Sequence, residues 1–181
     1  MAEVTETGGA QVRLRDVTED DLPTLLAYEH DLEAVRRSGF RPRSREVFLA
    51  HWRERVLGDP GCLALAVTVD GETAGNVGSW WDGDRRLLGY WLGRAYWRQG
   101  IGTRALGLFL ERERTRPLHA EVLDGNTASI RLLRRHGFVH AGPAPDAPGE
   151  DDGRHLLLVL GASPEKWGAP VTPALERSTH G

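Results

Sequence analysis

The residues of this chain best suited to chemistry lie between Trp91 and Ala105, in the string WLGRAYWRQGIGTRA. A short apolar strand, Leu87 to Leu92, runs into a turn, reaches the close-set glycines Gly100 and Gly102, and opens directly into an amphipathic helix. Glycines at a helix entrance let the backbone approach a ligand closely and leave the first amide hydrogens pointing outward. The helix dipole adds roughly half a positive charge at that end. The combination suits a phosphate or pyrophosphate, with the amides of Gln99, Gly100, Ile101, Gly102 and Thr103 as donors and Arg98 or Arg104 adding charge.

A second string, Asn126-Thr-Ala-Ser129-Ile-Arg-Leu132 followed by Gly137-Phe138, places a polar pair at another helix entrance. Asn126 reads either as that helix's cap or as a ligand contact, and Ser129 sits in its first turn. Other reactive types have plainer readings. Cys62 begins an apolar strand and reads as a packed thiol. The seven histidines lack metal-ligand spacing, so no metal is expected. Arg36, Arg37, Arg41, Arg43 and Arg45 form a basic stretch, and Glu150-Asp-Asp152 an acidic one; each reads first as a solvated loop. Trp80 and Trp81 alternate faces on a strand, so one should be core and the other should line a groove.

The elements that position these groups follow from periodicity and punctuation. Residues 1–10 read as a loose tail, and Val12 to Leu14 as a strand. Thr18-Glu-Asp-Asp21 is a capped helix start, after which Leu22, Leu25 and Leu26 share one face. Phe48, Trp52 and Val56 form a second helical stripe, ended by Asp59-Pro60-Gly61. Strands Cys62 to Val69 and Thr73 to Trp80 are joined by Asp70-Gly71, a strong hairpin signal. Asp82-Gly-Asp84 turns the chain into Leu87 to Leu92, which completes an antiparallel meander. The helix after Gly102 buries Leu106, Phe109 and Leu110. Leu118 to Leu123 is a strand, Thr127 to His136 a helix closed by Gly137, and Phe138 to Ala141 with His155 to Leu160 a final strand pair. Residues 161–181 read as a Pro/Gly-rich tail or docking arm. The class is α+β rather than a regular βαβ alternation.

Composition bounds the function. A chain of 181 residues, 40% hydrophobic and 27% charged, forms one globular domain with a sizeable core. A net charge of −3 offers no general attraction to nucleic acid. No apolar run approaches the ~20 residues a bilayer span needs. The polar, acidic N-terminus lacks the pattern of a signal peptide. A single cysteine rules out an internal disulfide and suits a cytoplasmic location.

These motifs together resemble the GNAT superfamily of N-acetyltransferases over roughly residues 11–160. The family's acetyl-CoA signature, Gln/Arg-x-x-Gly-x-Gly/Ala after the fourth strand, is matched by Trp97-Arg98-Gln99-Gly100-Ile101-Gly102, with Trp97 in place of Gln or Arg. That departure, with Gly89-Tyr90-Trp91-Leu92 and Tyr96-Trp97, resembles the ribosomal-protein alanine N-acetyltransferase branch. The Asn126 to Leu132 string and Gly137-Phe138 match a second family element. The resemblance implies a mixed sheet of about seven strands flanked by about four helices, splayed between strands 4 and 5. It implies acetyl-CoA as co-substrate and direct transfer to an amine in a ternary complex, with a peptide N-terminus or a small molecule as acceptor. Trp91, Leu92 and Gly93 would run along the pantetheine arm, the Leu92 amide would stabilise the oxyanion, and Asn126 and Ser129 would border the cofactor.

Two expected side chains are missing from that pattern. The glutamate this branch often carries on the fourth strand is matched by Leu87, which leaves Glu121 and Asp82 as candidate bases. The tyrosine that many members place just after the second motif's Leu is matched by Leu133, which leaves Ser129 as candidate acid. An acetyl-CoA-binding sensor or scaffold without catalysis is therefore an alternative reading. Gly100-Ile-Gly102-Thr-Arg-Ala105 also fits the dinucleotide pattern G-x-G-x-x-A with Glu121 downstream, the signature of an oxidoreductase; the intervening Gly93 to Gln99 and the antiparallel strands argue against it. The exposed final strand and the tail would allow a homodimer.

Overall fold

A computed structural model describes residues 10–145 and 154–161. The expected tails (1–9 and 162–181) and the acidic stretch Glu150-Asp-Asp152 lie outside the described residues.

Seven strands form one sheet: β1 (Val12–Asp16), β2 (Leu63–Val69), β3 (Glu72–Asp82), β4 (Arg85–Leu92), β5 (Leu118–Leu123), β6 (Val139–Pro143) and β7 (His155–Leu160), in spatial order β1-β2-β3-β4-β5-β7-β6. Every neighbouring pair is antiparallel except β4 and β5. The Asp70-Gly71 hairpin is present, with φ of 51° and 90° at its two central residues, both in the left-handed region that a tight two-residue turn demands.

Five helices cover the sheet, one more than the resemblance implied: α1 (Leu22–Glu29), α2 (Leu32–Ser38), α3 (Arg45–Ala50), α4 (Ile101–Arg112) and α5 (Thr127–Arg135). The additional one, α2, has no apolar stripe: Leu32 is exposed and only Ala34 is buried. It is specified by its ends, since the Asp31 carboxylate accepts from the amides of Glu33 and Ala34 and Gly39 closes it at φ 68°. At the entrance to α1 the Thr18/Asp21 capping box forms as expected. A π-helical turn, His51–Val56, continues α3; Phe48 of α3 and Trp52 of the turn reach the core.

The helices lie on both faces. Ile101, Ala105, Leu106 and Phe109 of α4 and Leu133 of α5 pack on one face against Leu65, Val77, Leu88, Leu118 and Ala120. Leu22 and Leu25 of α1, Phe48 of α3 and Trp52 of the π-helical turn cover the other through Ala66. Among the described residues no helix is long and apolar enough to cross a membrane.

Candidate functional site

The site is a gap in the sheet. β4 and β5 run parallel but pair only at Arg86↔Leu118 and Leu87↔His119. From Leu88 onward β4 leans away, and a cleft of about 1130 Å³ fills the wedge. Alternation along a strand sends Leu88 and Tyr90 to the α4–α5 face and Gly89 and Trp91 to the α1–α3 face. All four line this one cleft, as do Ala120 and Glu121 of β5. The cleft therefore passes through the sheet, so two molecules entering from opposite faces would meet inside it.

Buried charge fixes the apex of the wedge. The Glu113 carboxylate accepts from Ser79 Oγ at 2.5 Å, from Arg86 Nε at 3.0 Å and from the Thr115 amide at 2.8 Å. Arg86 also donates to the Gly61 carbonyl ahead of β2. Burial alone would raise the Glu113 pKa, but these hydrogen bonds outweigh it and hold the carboxyl at about 2.

The far end of β4 is set by close backbone contacts. The Gly93 amide donates to the Ala74 carbonyl at 2.9 Å. In the antiparallel alternation this places Trp91 and Gly93 in hydrogen-bonded register with β3 and turns the Tyr90 and Leu92 amides toward the gap. A Cβ on Gly93 would stand 2.6 Å from the Tyr28 ring, so only glycine fits where α1 crosses the strand end. The Trp91 indole donates to the Tyr28 carbonyl at 2.9 Å. Trp97 has a structural reason to replace the expected Gln or Arg. Its indole donates to the Leu92 carbonyl at 2.9 Å, and its ring lies 4.6 Å below the Arg37 guanidinium.

The entrance of α4 is the one the motif predicts. Arg98 and Gly100 both adopt left-handed φ, 59° and 75°. A Cβ on Gly100 would meet nothing within 4 Å, so its outer side is open. No side chain caps this helix, whereas Asp31, Ser44 and Asn126 cap α2, α3 and α5. The amides of Ile101, Gly102 and Thr103 thus precede the first intrahelical bond, Arg104 N–H to the Gly100 carbonyl. Gly102 has a packing role: a Cβ there would lie 3.3 Å from both Leu92 and Leu132, so glycine lets α4 press between β4 and α5. Gln99 turns its side chain back to the Ala95 carbonyl, and Arg104 reaches the Ala10 carbonyl; Arg98 is exposed between them.

A family model for the acetyltransferase (GNAT) domain matches residues 11–139. The chain belongs to that family. The fold recurs in solved structures. Aminoglycoside acetyltransferase AAC(6')-Ib in complex with coenzyme A is 21% identical, with TM-score 0.67 over 83% of this chain and 95% of that one. An N-acetyltransferase from Staphylococcus aureus Mu50 is 16% identical, with TM-score 0.70 over 83% and 98%. A domain from Methanocaldococcus jannaschii DSM 2661 is 18% identical, with TM-score 0.65 over 83% and 99%. A search of curated proteins finds no match. The dinucleotide reading gains no support, since among the described residues β4 and β5 are the only parallel neighbours in the sheet.

On the α4–α5 side of the GNAT cleft, Asn126 caps α5 by accepting from the Ser129 amide at 3.2 Å. The Ser129 hydroxyl lies 2.5 Å from the Tyr90 hydroxyl. Burial pushes the Tyr90 phenol up to about 12, against a smaller opposing effect of Ser129, so Tyr90 stays protonated. Leu133 is fully buried one turn beyond Ser129.

On the α1–α3 side, Glu121 faces the cleft and accepts from Arg85 Nη1 at 3.0 Å. Asp82, at the hairpin tip, accepts from Arg85 Nη2 at 2.7 Å and is not among the cleft-lining residues. His155 of β7 pairs with Leu123 and lines the same wall; its Nδ1 is buried and has no hydrogen-bond partner among the described residues. His51 lines the opposite wall, where burial, then Arg43 and Arg55, lower its pKa and keep it neutral.

Much of the basic stretch is paired. Arg36 and Arg37 both bind Glu33, and Arg43 binds Glu29 at 3.0 Å. The expectation for the two tryptophans needs correction. Neither is core: Trp80 is 40% and Trp81 52% exposed, because the hairpin extends β3 past the sheet's cover. Both border the cleft. Trp80 lies across Gly89, whose Cβ would stand 2.9 Å from the indole, and Trp81 is stacked by Arg86 at 5.3 Å. Cys62, expected as a packed thiol at the start of a strand, stands just before β2, is only half-buried and lines the cleft; burial raises its pKa.

Sequence reasoning gave no role to Tyr90 or His155. A signal existed for Tyr90, since a phenol at an inward position of an apolar strand needs a hydroxyl partner. For His155 there was none, because only the β5–β7 register brings it to the cleft.

Proposed function

We propose that this GNAT domain transfers the acetyl group of acetyl-CoA directly to a primary amine in a ternary complex. The observation that carries the reading is the through-sheet cleft between β4 and β5, with the uncapped entrance of α4 beside its mouth. The amides of Gln99 to Thr103 with Arg98 hold the pyrophosphate. The pantetheine arm lies along Trp91 to Gly93 as an added strand, using the amides that β4 turns toward the gap. Asn126 and Ser129 line the opposite side of that channel.

The amine enters from the α1–α3 side. The Leu92 amide stabilises the oxyanion formed as nitrogen adds to the thioester carbonyl; one such donor is worth about 3 kcal/mol in other enzymes. Glu121 is the better placed of the two candidate bases, because it faces the cleft while Asp82 does not. The C–S bond then breaks, and the proton shed by nitrogen ends on sulfur. Its thiol, with pKa of about 8.5, leaves readily.

The Gly89-Tyr90-Trp91-Leu92 and Tyr96-Trp97 strings favour an α-amine, such as a protein N-terminus, over other acceptors. With a pKa near ~7.7–8.0, that amine is partly neutral at physiological pH and needs little help from a base. The deciding experiment is a thermal-shift titration with acetyl-CoA followed by thiol-release assays over a panel of peptides and small amines. Stabilisation with turnover supports the transferase; stabilisation without turnover on any amine supports the sensor or scaffold; no stabilisation at millimolar acetyl-CoA refutes both.

A further inference from the structure

The α5 helix of this protein carries no tyrosine facing the cleft: Leu133 is fully buried there, and the hydroxyl nearest it along the helix is Ser129, one turn earlier. A phenol arrives instead from the other wall. Tyr90 projects from β4 on the α4–α5 side, like Leu88 and Leu92, and its hydroxyl comes within 2.5 Å of Ser129 Oγ. Both residues line the cleft, beyond the point where β4 last pairs with β5. A serine hydroxyl rotates freely unless a partner fixes it. Either hydroxyl can donate across this contact, and the Tyr90 hydroxyl also lies 3.5 Å from the Ser129 carbonyl; a phenol is the more acidic of the two hydroxyls and so the better donor.

We infer that Tyr90 is a positioning residue for acetyl transfer: its O–H donates to Ser129 Oγ and so turns the Ser129 hydroxyl hydrogen toward the departing coenzyme A sulfur. The inference rests on the acetyltransferase reading. The step balances without any proton leaving either side chain. The N–C bond forms, the C–S bond breaks with its electron pair on sulfur, and the nitrogen's proton ends on that sulfur. Ser129 contributes a hydrogen bond to the developing thiolate, and Tyr90 fixes its direction.

The test is steady-state kinetics with acetyl-CoA and an amine that the wild-type chain acetylates. Tyr90→Phe lowers kcat about tenfold, the scale of one lost orienting hydrogen bond, with KM for acetyl-CoA within about twofold of wild type. Ser129→Ala lowers kcat at least as much, and the double variant is no slower than Ser129→Ala alone. An unchanged kcat in either single variant, losses that multiply in the double variant, or a raised KM at full kcat overturns the inference, because a packing role would behave in those ways. Should Tyr90→Phe fail to fold, Tyr90→Met takes its place with the same expected loss of kcat at unchanged KM, and full kcat in either Tyr90→Met or Ser129→Ala overturns the inference. Wild type that is neither stabilised by acetyl-CoA nor active on any amine sinks the transferase reading itself, and this inference with it. Normal wild-type turnover with unaffected variants sinks this inference alone.

Discussion

Replacing Gly100 by alanine separates the backbone's need for glycine from the cofactor's. Gly100 has φ 75° and open space where a Cβ would point. Gly71, in the hairpin between β2 and β3, has φ 90° and equally open space. An alanine held in that left-handed region costs about 1–2 kcal/mol at either site. For a domain of this size each kcal/mol lowers Tm by roughly 2–4 °C, so both variants should lose comparable stability. Their response to coenzyme A should differ. At 100 times its Kd a ligand stabilises by about 2.7 kcal/mol. A methyl group at Gly100 occupies the approach to the α4 amides and removes at least one charge-assisted hydrogen bond, worth about 1.5–3 kcal/mol, or roughly 10–150-fold in affinity. At the same ligand concentration the stabilisation then falls to about 1.4 kcal/mol or less. Differential scanning fluorimetry with and without coenzyme A reads both quantities. Gly71→Ala with a full ligand shift and Gly100→Ala with a diminished one is the expected pair. Equal ligand shifts in the two variants would refute the amide cradle.

Other outcomes follow from the cleft walls and its apex. Glu121→Gln should lower kcat/KM by tenfold or more for a lysine-like amine and much less for an α-amine, while Asp82→Asn leaves both near wild type; equal losses in thiol-release assays would remove Glu121 from the chemistry. The folded Glu113 carboxyl lies at about 2, below its ordinary 4.5, so the stability it contributes is complete above pH 4.5 and is lost as pH falls from there toward 2. Acid titration followed by tryptophan fluorescence should show a transition in that window that Glu113→Gln flattens. Asn126→Ala should cost about 1 kcal/mol of stability through the lost cap, measured by urea denaturation; a cofactor-affinity loss with no stability loss would instead make Asn126 a ligand contact.

The parts of the structure legible in the sequence were those fixed by neighbours along the chain. The Thr18 capping box, the Asp70-Gly71 hairpin, the glycine-bearing entrance of α4 and the Asn126 cap each rest on residues within four positions of one another. The α2 helix escaped notice because it is specified by its caps rather than by an apolar stripe. Trp80 and Trp81 were misjudged because alternation assigns a face but not whether anything covers it. The chemistry of the site was hardest to read, since its contacts join distant positions: Tyr90 with Ser129 across 39 residues and Arg85 with Glu121 across 36. Spacing along the chain carries no trace of such pairs; only the placing of β5 and α5 beside β4 creates them.

The Ser79–Arg86–Glu113 cluster sits at the last point where the two parallel strands touch, on the face that Leu87 and Gly89 turn away from. The aperture of the wedge and the identity of its acceptor-side lining are thus governed by separate sets of side chains. Changes at Trp80, Leu87 or Gly89 can reshape what enters from the α1–α3 side while the vertex, tied to α4 and to the chain ahead of β2, keeps the two arms at a fixed opening. Under the proposed transfer, such a partition allows acceptor preference to drift, or to be engineered, without re-cutting the channel for the thioester.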